Sequence, residues 1–146
     1  SAKEMFAKVF EYYENSDIAI ASAAVADYAP KEIAQEKIKK NDDSLTIELV
    51  KNPDILKTMG ERKTKQFLVG FALETQNEEE NAKGKLQKKN LDMIVLNSLR
   101  DEGAGFKGTT NKIKIITETT VTEFPLKSKN EVAKDILNFV QAQILK

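Results

Sequence analysis

Three short apolar runs, each set between amphipathic stretches, constrain this chain more than any other feature. Residues 17–25 (DIAIASAAV), 67–73 (FLVGFAL) and 92–96 (DMIVL) are nearly continuous in apolar side chains, with little polar alternation. A strand with that pattern is covered on both faces, as in a parallel sheet packed between helices. The intervening stretches carry helix-start signals. Ser1 and Glu4 have capping-box spacing ahead of Met5, Phe6, Val9, Phe10 and Tyr13, which predicts a helix over 2–14. Asn52-Pro53 predicts a helix over 53–63, with Asn52 as cap and Pro53 in the first turn. Thr75 with Glu78, and Ser128 with Glu131, mark two more helix starts. The helix after Thr75 begins Glu78-Glu79-Glu80 and ends in lysines, the polarity its macrodipole prefers.

Strands alternating with helices predict an α/β fold: a three-layer, Rossmann-like sandwich with a mostly parallel sheet and helices on both faces. Strands 17–25, 67–73 and 91–96 are expected to lie parallel in its centre. Residues 112–117 and 120–124 read as an antiparallel hairpin at one edge. Residues 27–43 read as a long polar connection and 45–50 (LTIELV) as a half-exposed strand. Neither linker nor repeat interrupts the chain, so residues 1–146 are expected to form a single domain.

The inventory narrows the chemistry. There are 23 basic and 23 acidic residues, and no cysteine, histidine or tryptophan. Balanced charge offers no field for a nucleic-acid backbone, so no nucleic-acid partner is expected. Without cysteine there are no disulfides or thiolate nucleophiles. Without histidine the commonest general base and transition-metal ligand are missing. Hard cations such as Mg2+, which take oxygen ligands, stay compatible. Arg62 and Arg100 are the only arginines, so lysine must do most anion binding. No apolar run reaches membrane-span length and no basic leader precedes one, so the expectations are no membrane partner and a cytoplasmic setting.

In open α/β sheets ligands bind at the carboxyl ends of the strands, and polar candidates fall there. Asp27 follows AAVA at the end of the first run, where a carboxylate suits a ribose, an amino group or Mg2+; the ordinary alternative is a loop carboxylate satisfied by nearby amides. Lys37, Lys39 and Lys40 (EKIKK, 36–40) are clustered charges suited to a triphosphate, or else a solvated loop with Ile38 folding down. Gly70 inside the most apolar run suggests a close backbone or ligand approach. Phe71 reads as core or as a base-stacking ring, and Thr75 as a cap or an anion contact. Asn97 follows the 92–96 run and offers both donor and acceptor, or simply a turn. The loop with Gly103, Gly105, Phe106, Lys107 and Gly108 reads as a lid or a loose connection. No G-x-G-x-x-G or G-x-x-x-x-G-K-[ST] motif is present.

Read in order, SAKEMF, AAVADY (23–28), EKIKK (36–40), LVKNPDIL (49–56), VGFALET (69–75), KKNLDMIVLN (88–97) and the GF of the 105–111 loop closely resemble phosphopantothenoylcysteine synthetase. That family is the ligase step of coenzyme A biosynthesis, often the carboxy-terminal half of a bifunctional protein. The resemblance implies an amide ligase joining phosphopantothenate to cysteine through an acyl-cytidylate, with CTP consumed and CMP and pyrophosphate released. It implies CTP contacts at Ala23, Asp27, Lys37 and Phe71, with Lys39, Lys40 and Asn97 added from the pattern. Lys37 matches the family's catalytic lysine on a mobile covering segment, and Mg2+ accompanies the triphosphate, with Asp27 as its candidate ligand. FMN is implied only if a decarboxylase domain is fused upstream. Homodimerisation through the region of residues 45–50 is also implied. The family's opening strand, its GGT-x-E segment and an NxSSG-like stretch have no counterpart here. The chain therefore reads as the later two thirds of the synthetase domain. The alternative reading is a catalytically silent nucleotide-binding or dimerisation fragment.

Overall fold

The computed structural model describes residues 1–38, 44–74, 76–98 and 108–145. In chain order the elements are α1 (Ala2–Tyr12), β1 (Ile18–Ala21), β2 (Tyr28–Pro30), β3 (Leu49–Lys51), α2 (Ile55–Arg62), β4 (Phe67–Glu74), α3 (Glu78–Lys88), β5 (Met93–Ser98), β6 (Thr110–Asn111), β7 (Ile113–Ile116), β8 (Val121–Glu123), β9 (Lys127–Ser128) and α4 (Lys129–Ile144). The main sheet has the order β1-β4-β5-β7-β8. β1, β4 and β5 are mutually parallel, with Ile18 opposite Phe67 and Val69 opposite Met93. β7 and β8 continue the sheet antiparallel, as the expected edge hairpin.

Side chains alternate across β4. Leu68 and Ala72 join Met59, Ala82, Leu86 and Ile94 in one core, and Phe6, Val9 and Phe10 of α1 pack against it. Val69 joins Met93, Val95, Ile115, Val132, Ile136 and Val140 in the other. Helices α1, α2 and α3 thus cover one face and α4 the opposite one, giving the three expected layers. Two of the three expected capping boxes form among the described residues: Ser1 with Glu4 opens α1 and Ser128 with Glu131 opens α4.

Several expectations need correction. The run 17–25 yields only a four-residue strand, and β1 lies at an edge of the described sheet rather than its centre. Its Ile18 and Ile20 are 45% and 40% exposed, as an edge position allows. Small residues after Ala21 let the chain leave the sheet early. The connection after Asp27 is not wholly irregular: β2 pairs antiparallel with β3 in a separate ribbon, tied further by Lys31 to Glu48. Within 45–50 only the last two residues are in strand pairing. Asn52 is not the cap of α2; that role falls to Asp54, whose carboxylate accepts from the Lys57 amide at 3.0 Å. Gly70 admits side chains, not a ligand: a Cβ there would meet Leu91 Cδ1 at 2.8 Å and Leu56 Cδ2 at 2.9 Å. Asn77 rather than Thr75 stands at the start of α3, in the left-handed conformation; Thr75 lies outside the described residues. Among the described residues no helix is long and apolar enough to cross a membrane.

Candidate active site at the strand ends

A cavity of about 730 Å3 opens at the carboxyl ends of β1, β4 and β5. Its walls are the chain leaving β1 from Ser22 to Asp27, the turn 51–56 leading into α2, Phe71 to Leu73 of β4, and Asn97 of β5. The alanines at 21, 23, 24 and 26 make this wall from backbone and methyl groups, so a ligand can approach the main chain closely.

Asn52 builds the junction of two of these walls. Its side chain is buried, its Nδ2 donates to the Ala26 carbonyl at 2.8 Å, and its backbone N–H donates to the Asp27 carbonyl at 2.8 Å. Asn52 thus serves the junction through its side-chain nitrogen and its backbone N–H, while Asp54 caps α2. Asn52 thereby fixes the backbone carrying Asp27 against the turn carrying Asp54.

The structure brings together four of the candidate residues. Ala23, Asp27, Phe71 and Asn97 all line the one cavity, although they lie as far as 74 positions apart in sequence. Asp27 is exposed at the mouth. Phe71 is half-buried, packs against the α4-side core and borders the cavity. Lys37 is exposed and does not line the cavity. Lys39, Lys40, Gly103, Gly105, Phe106 and Lys107 lie outside the described residues.

Sequence reading missed Lys89. Its ammonium stands 2.9 Å from Asp54 Oδ2, and both residues line the cavity. Burial raises the Asp54 pKa, but the Lys57 amide and the Lys89 ammonium outweigh it and hold the carboxyl below its usual range. Deeper along α3, Lys85 pairs with Glu74 at the end of β4. Both lysines read in the sequence as macrodipole partners at the end of a helix. The signal that was available is their spacing: 85 and 89 are one turn apart and so share a helix face.

Among the described residues no group of three or more acidic side chains gathers to hold a metal ion. Asp27 suits Mg2+ only as a single carboxylate on a metal that already carries phosphates and water, the usual arrangement for metal–nucleotide complexes.

Residues 1–144 match the DNA/pantothenate metabolism flavoprotein C-terminal domain family. A protein named cysteine/cysteine sulfinic acid decarboxylase, from an unknown prokaryotic organism, is 50% identical over 139 residues, 94% of this chain and 39% of the relative. The coenzyme A biosynthesis bifunctional protein CoaBC of Bacillus subtilis (strain 168) is 46% identical over 143 residues, 97% of this chain and 35% of the relative. The chain thus spans less than two fifths of these curated relatives. The solved C-terminal domain of a CoaBC protein superposes with a TM-score of 0.79 at 40% identity, covering 99% of this chain and 63% of that one. The fold, the ordered motifs and the family match agree: the chain belongs to the DNA/pantothenate metabolism flavoprotein C-terminal domain family, as its likeness to phosphopantothenoylcysteine synthetase implies.

Proposed function

We propose that this chain is part of a phosphopantothenate–cysteine ligase of coenzyme A biosynthesis, and that its strand-end cavity holds CTP. One observation carries the reading: Asp27, Phe71 and Asn97, distant in sequence, meet in a single cavity at the carboxyl ends of parallel strands. A mixed wall of small residues, one ring, one carboxylate, one amide and a lysine–aspartate pair suits a nucleotide better than an apolar ligand. The identity of about 46% to a protein named for coenzyme A biosynthesis supports the pathway.

The chemistry follows from the residues available. The carboxylate of phosphopantothenate attacks the α-phosphorus of CTP, forming an acyl-cytidylate as pyrophosphate leaves. The amine of cysteine then attacks the acyl carbon and CMP departs, the amine losing its proton. Neither step requires a histidine or cysteine from the protein, which agrees with an inventory holding none. Phe71 borders the base, and Asp27 contacts the ribose or carries Mg2+, which neutralises phosphate charge when bound. Lys89, held by Asp54, supplies positive charge at the cavity wall. Lys37 reaches the α-phosphate when its segment folds over the nucleotide, and there its ammonium stabilises charge that builds in the transition state.

Self-association belongs to the same reading. Leu45, Ile47 and Leu49 alternate along the approach to and start of β3 and are 65%, 57% and 54% exposed, so one side of the ribbon is left apolar. A second copy of the chain is the proposed cover.

The test is titration calorimetry with MgCTP, paired with pyrophosphate release in a full-length synthetase domain carrying this sequence. CTP binding that Asp27→Asn weakens, with the fold unchanged, supports the reading. Equal affinities for wild type and variant return Asp27 to the role of an ordinary loop carboxylate.

A further inference from the structure

Resting on the cavity as a nucleotide site, we infer that Asn111 is a positioning residue that locks Asn97 with its amide donor, not its carbonyl, available to the ligand. A chain of hydrogen bonds here permits one direction only. The backbone N–H of Lys112 lies 3.0 Å from Asn111 Oδ1. A backbone N–H can only donate, so that atom of Asn111 must be its oxygen, and its other end is the NH2 group. The Asn111 Nδ2 stands 2.9 Å from the side-chain oxygen of Asn97, so Asn97 must accept there. One lone pair of Asn97 Oδ1 is thereby engaged, and its Nδ2 is used by no hydrogen bond among the described residues. A side chain that could flip in isolation is held in one orientation, its amide donor left available, by a backbone amide two links away.

The fold makes the relay possible. Asn97 sits opposite Ile113 where β5 pairs with β7, and Asn111 is two residues before Ile113, in β6. β6 is itself pinned to β9 by the pairings Thr110–Ser128 and Asn111–Lys127. The cavity wall and the start of α4 are thus linked through three residues. Asn97 lines the cavity and Asn111 does not, so Asn111 acts only through its neighbour. The ligand atom it selects is a hydrogen-bond acceptor, which a nucleotide supplies either as a phosphate oxygen or as a carbonyl or ring nitrogen of the base.

Two measurements test this. In the ligand-free chain, nitrogen-15 NMR should find the side-chain amide protons of Asn111 exchanging with water more slowly than those of Asn97, each assigned by its leucine variant. Equal or reversed rates overturn the relay whether or not any nucleotide binds. The second is a double-variant cycle read by calorimetry with MgCTP and, separately, inorganic tripolyphosphate. Asn97→Leu should weaken CTP about tenfold and Asn111→Leu about fivefold. The double variant should bind no worse than Asn97→Leu alone, because partners acting as a unit are not additive. Losses shared by tripolyphosphate assign the acceptor to a phosphate; losses confined to CTP assign it to the base or sugar. Additive losses, or Asn111→Leu binding CTP like wild type, contradict the inference. Failure of the wild type to bind CTP counts against the nucleotide site itself and leaves the exchange experiment to decide the relay.

Discussion

At the scale of single residues, the Asp54–Lys89 pair joins stability to the site. Asp54 caps α2 and holds Lys89, and its carboxyl is shifted below the usual range. A lowered carboxyl pKa gives stability that is fully present above the unfolded value, near 4, and is lost as pH falls through the lower folded value. Asp54→Asn keeps a capping oxygen and removes the charge. Because Asp54 is more than a third exposed, it should cost under about 1 kcal/mol at pH 7, shrinking towards zero at pH 2–3. Asp54→Ala should cost about 1 kcal/mol more by removing the cap. Urea unfolding across pH checks both, and a pH-independent difference for Asp54→Asn would contradict the ion-pair account. For the site, Lys37→Gln in a full-length synthetase domain should lower turnover about a hundredfold, roughly 3 kcal/mol, while changing CTP binding much less. Turnover equal to wild type would remove Lys37 from catalysis. Asp27, Phe71 and Asn97 were legible in the sequence because strand ends in parallel sheets are known in advance. Lys89 was not, because a lysine in a last turn looks the same whether it faces solvent or a cavity.

At the scale of elements, the decisive contact is between α2 and the turn after α3. Gly60 is buried in α2, and a Cβ built on it would lie 1.8 Å from the carbonyl oxygen of Lys89. The Asn90 side chain, on a left-handed residue, donates to the Gly60 carbonyl at 2.9 Å and fixes the approach. The obstacle is backbone, so it cannot rotate away. Gly60→Ala should cost about 3 kcal/mol and, by displacing Lys89, should weaken CTP as well. Thermal unfolding with calorimetry tests the pairing; a variant as stable as wild type would show that the two elements separate easily. The strand and helix types were readable from periodicity and caps, and the capping boxes at Ser1 and Ser128 formed as expected. Strand lengths and edges were not readable. A run of small apolar residues such as IASAAV fits a buried strand and a close-packed cavity wall equally well, and its composition does not say where pairing stops.

At the scale of the whole molecule, the three layers leave one apolar ribbon face uncovered, and the proposed self-association rests on it. Ile47→Asp should shift the chain towards monomer in sedimentation equilibrium, with no loss of thermal stability in the monomer, since Ile47 is exposed. A wild-type chain that stays monomeric at high micromolar concentration would contradict the dimer. The layer order was legible because α/β alternation leaves few topologies; the separate β2–β3 ribbon was not, because a three-residue strand carries almost no periodic signal. The central claim is that one cavity at the strand ends receives the nucleotide. Nitrogen-15 NMR of the chain titrated with MgCTP tests it most directly. The account expects the shifted amides to cluster at residues 22–27, 52–56 and 71–73 and at Lys89 and Asn97, while the far side of α4 stays unchanged. Shifts confined to other surfaces, or none at millimolar MgCTP, would contradict it.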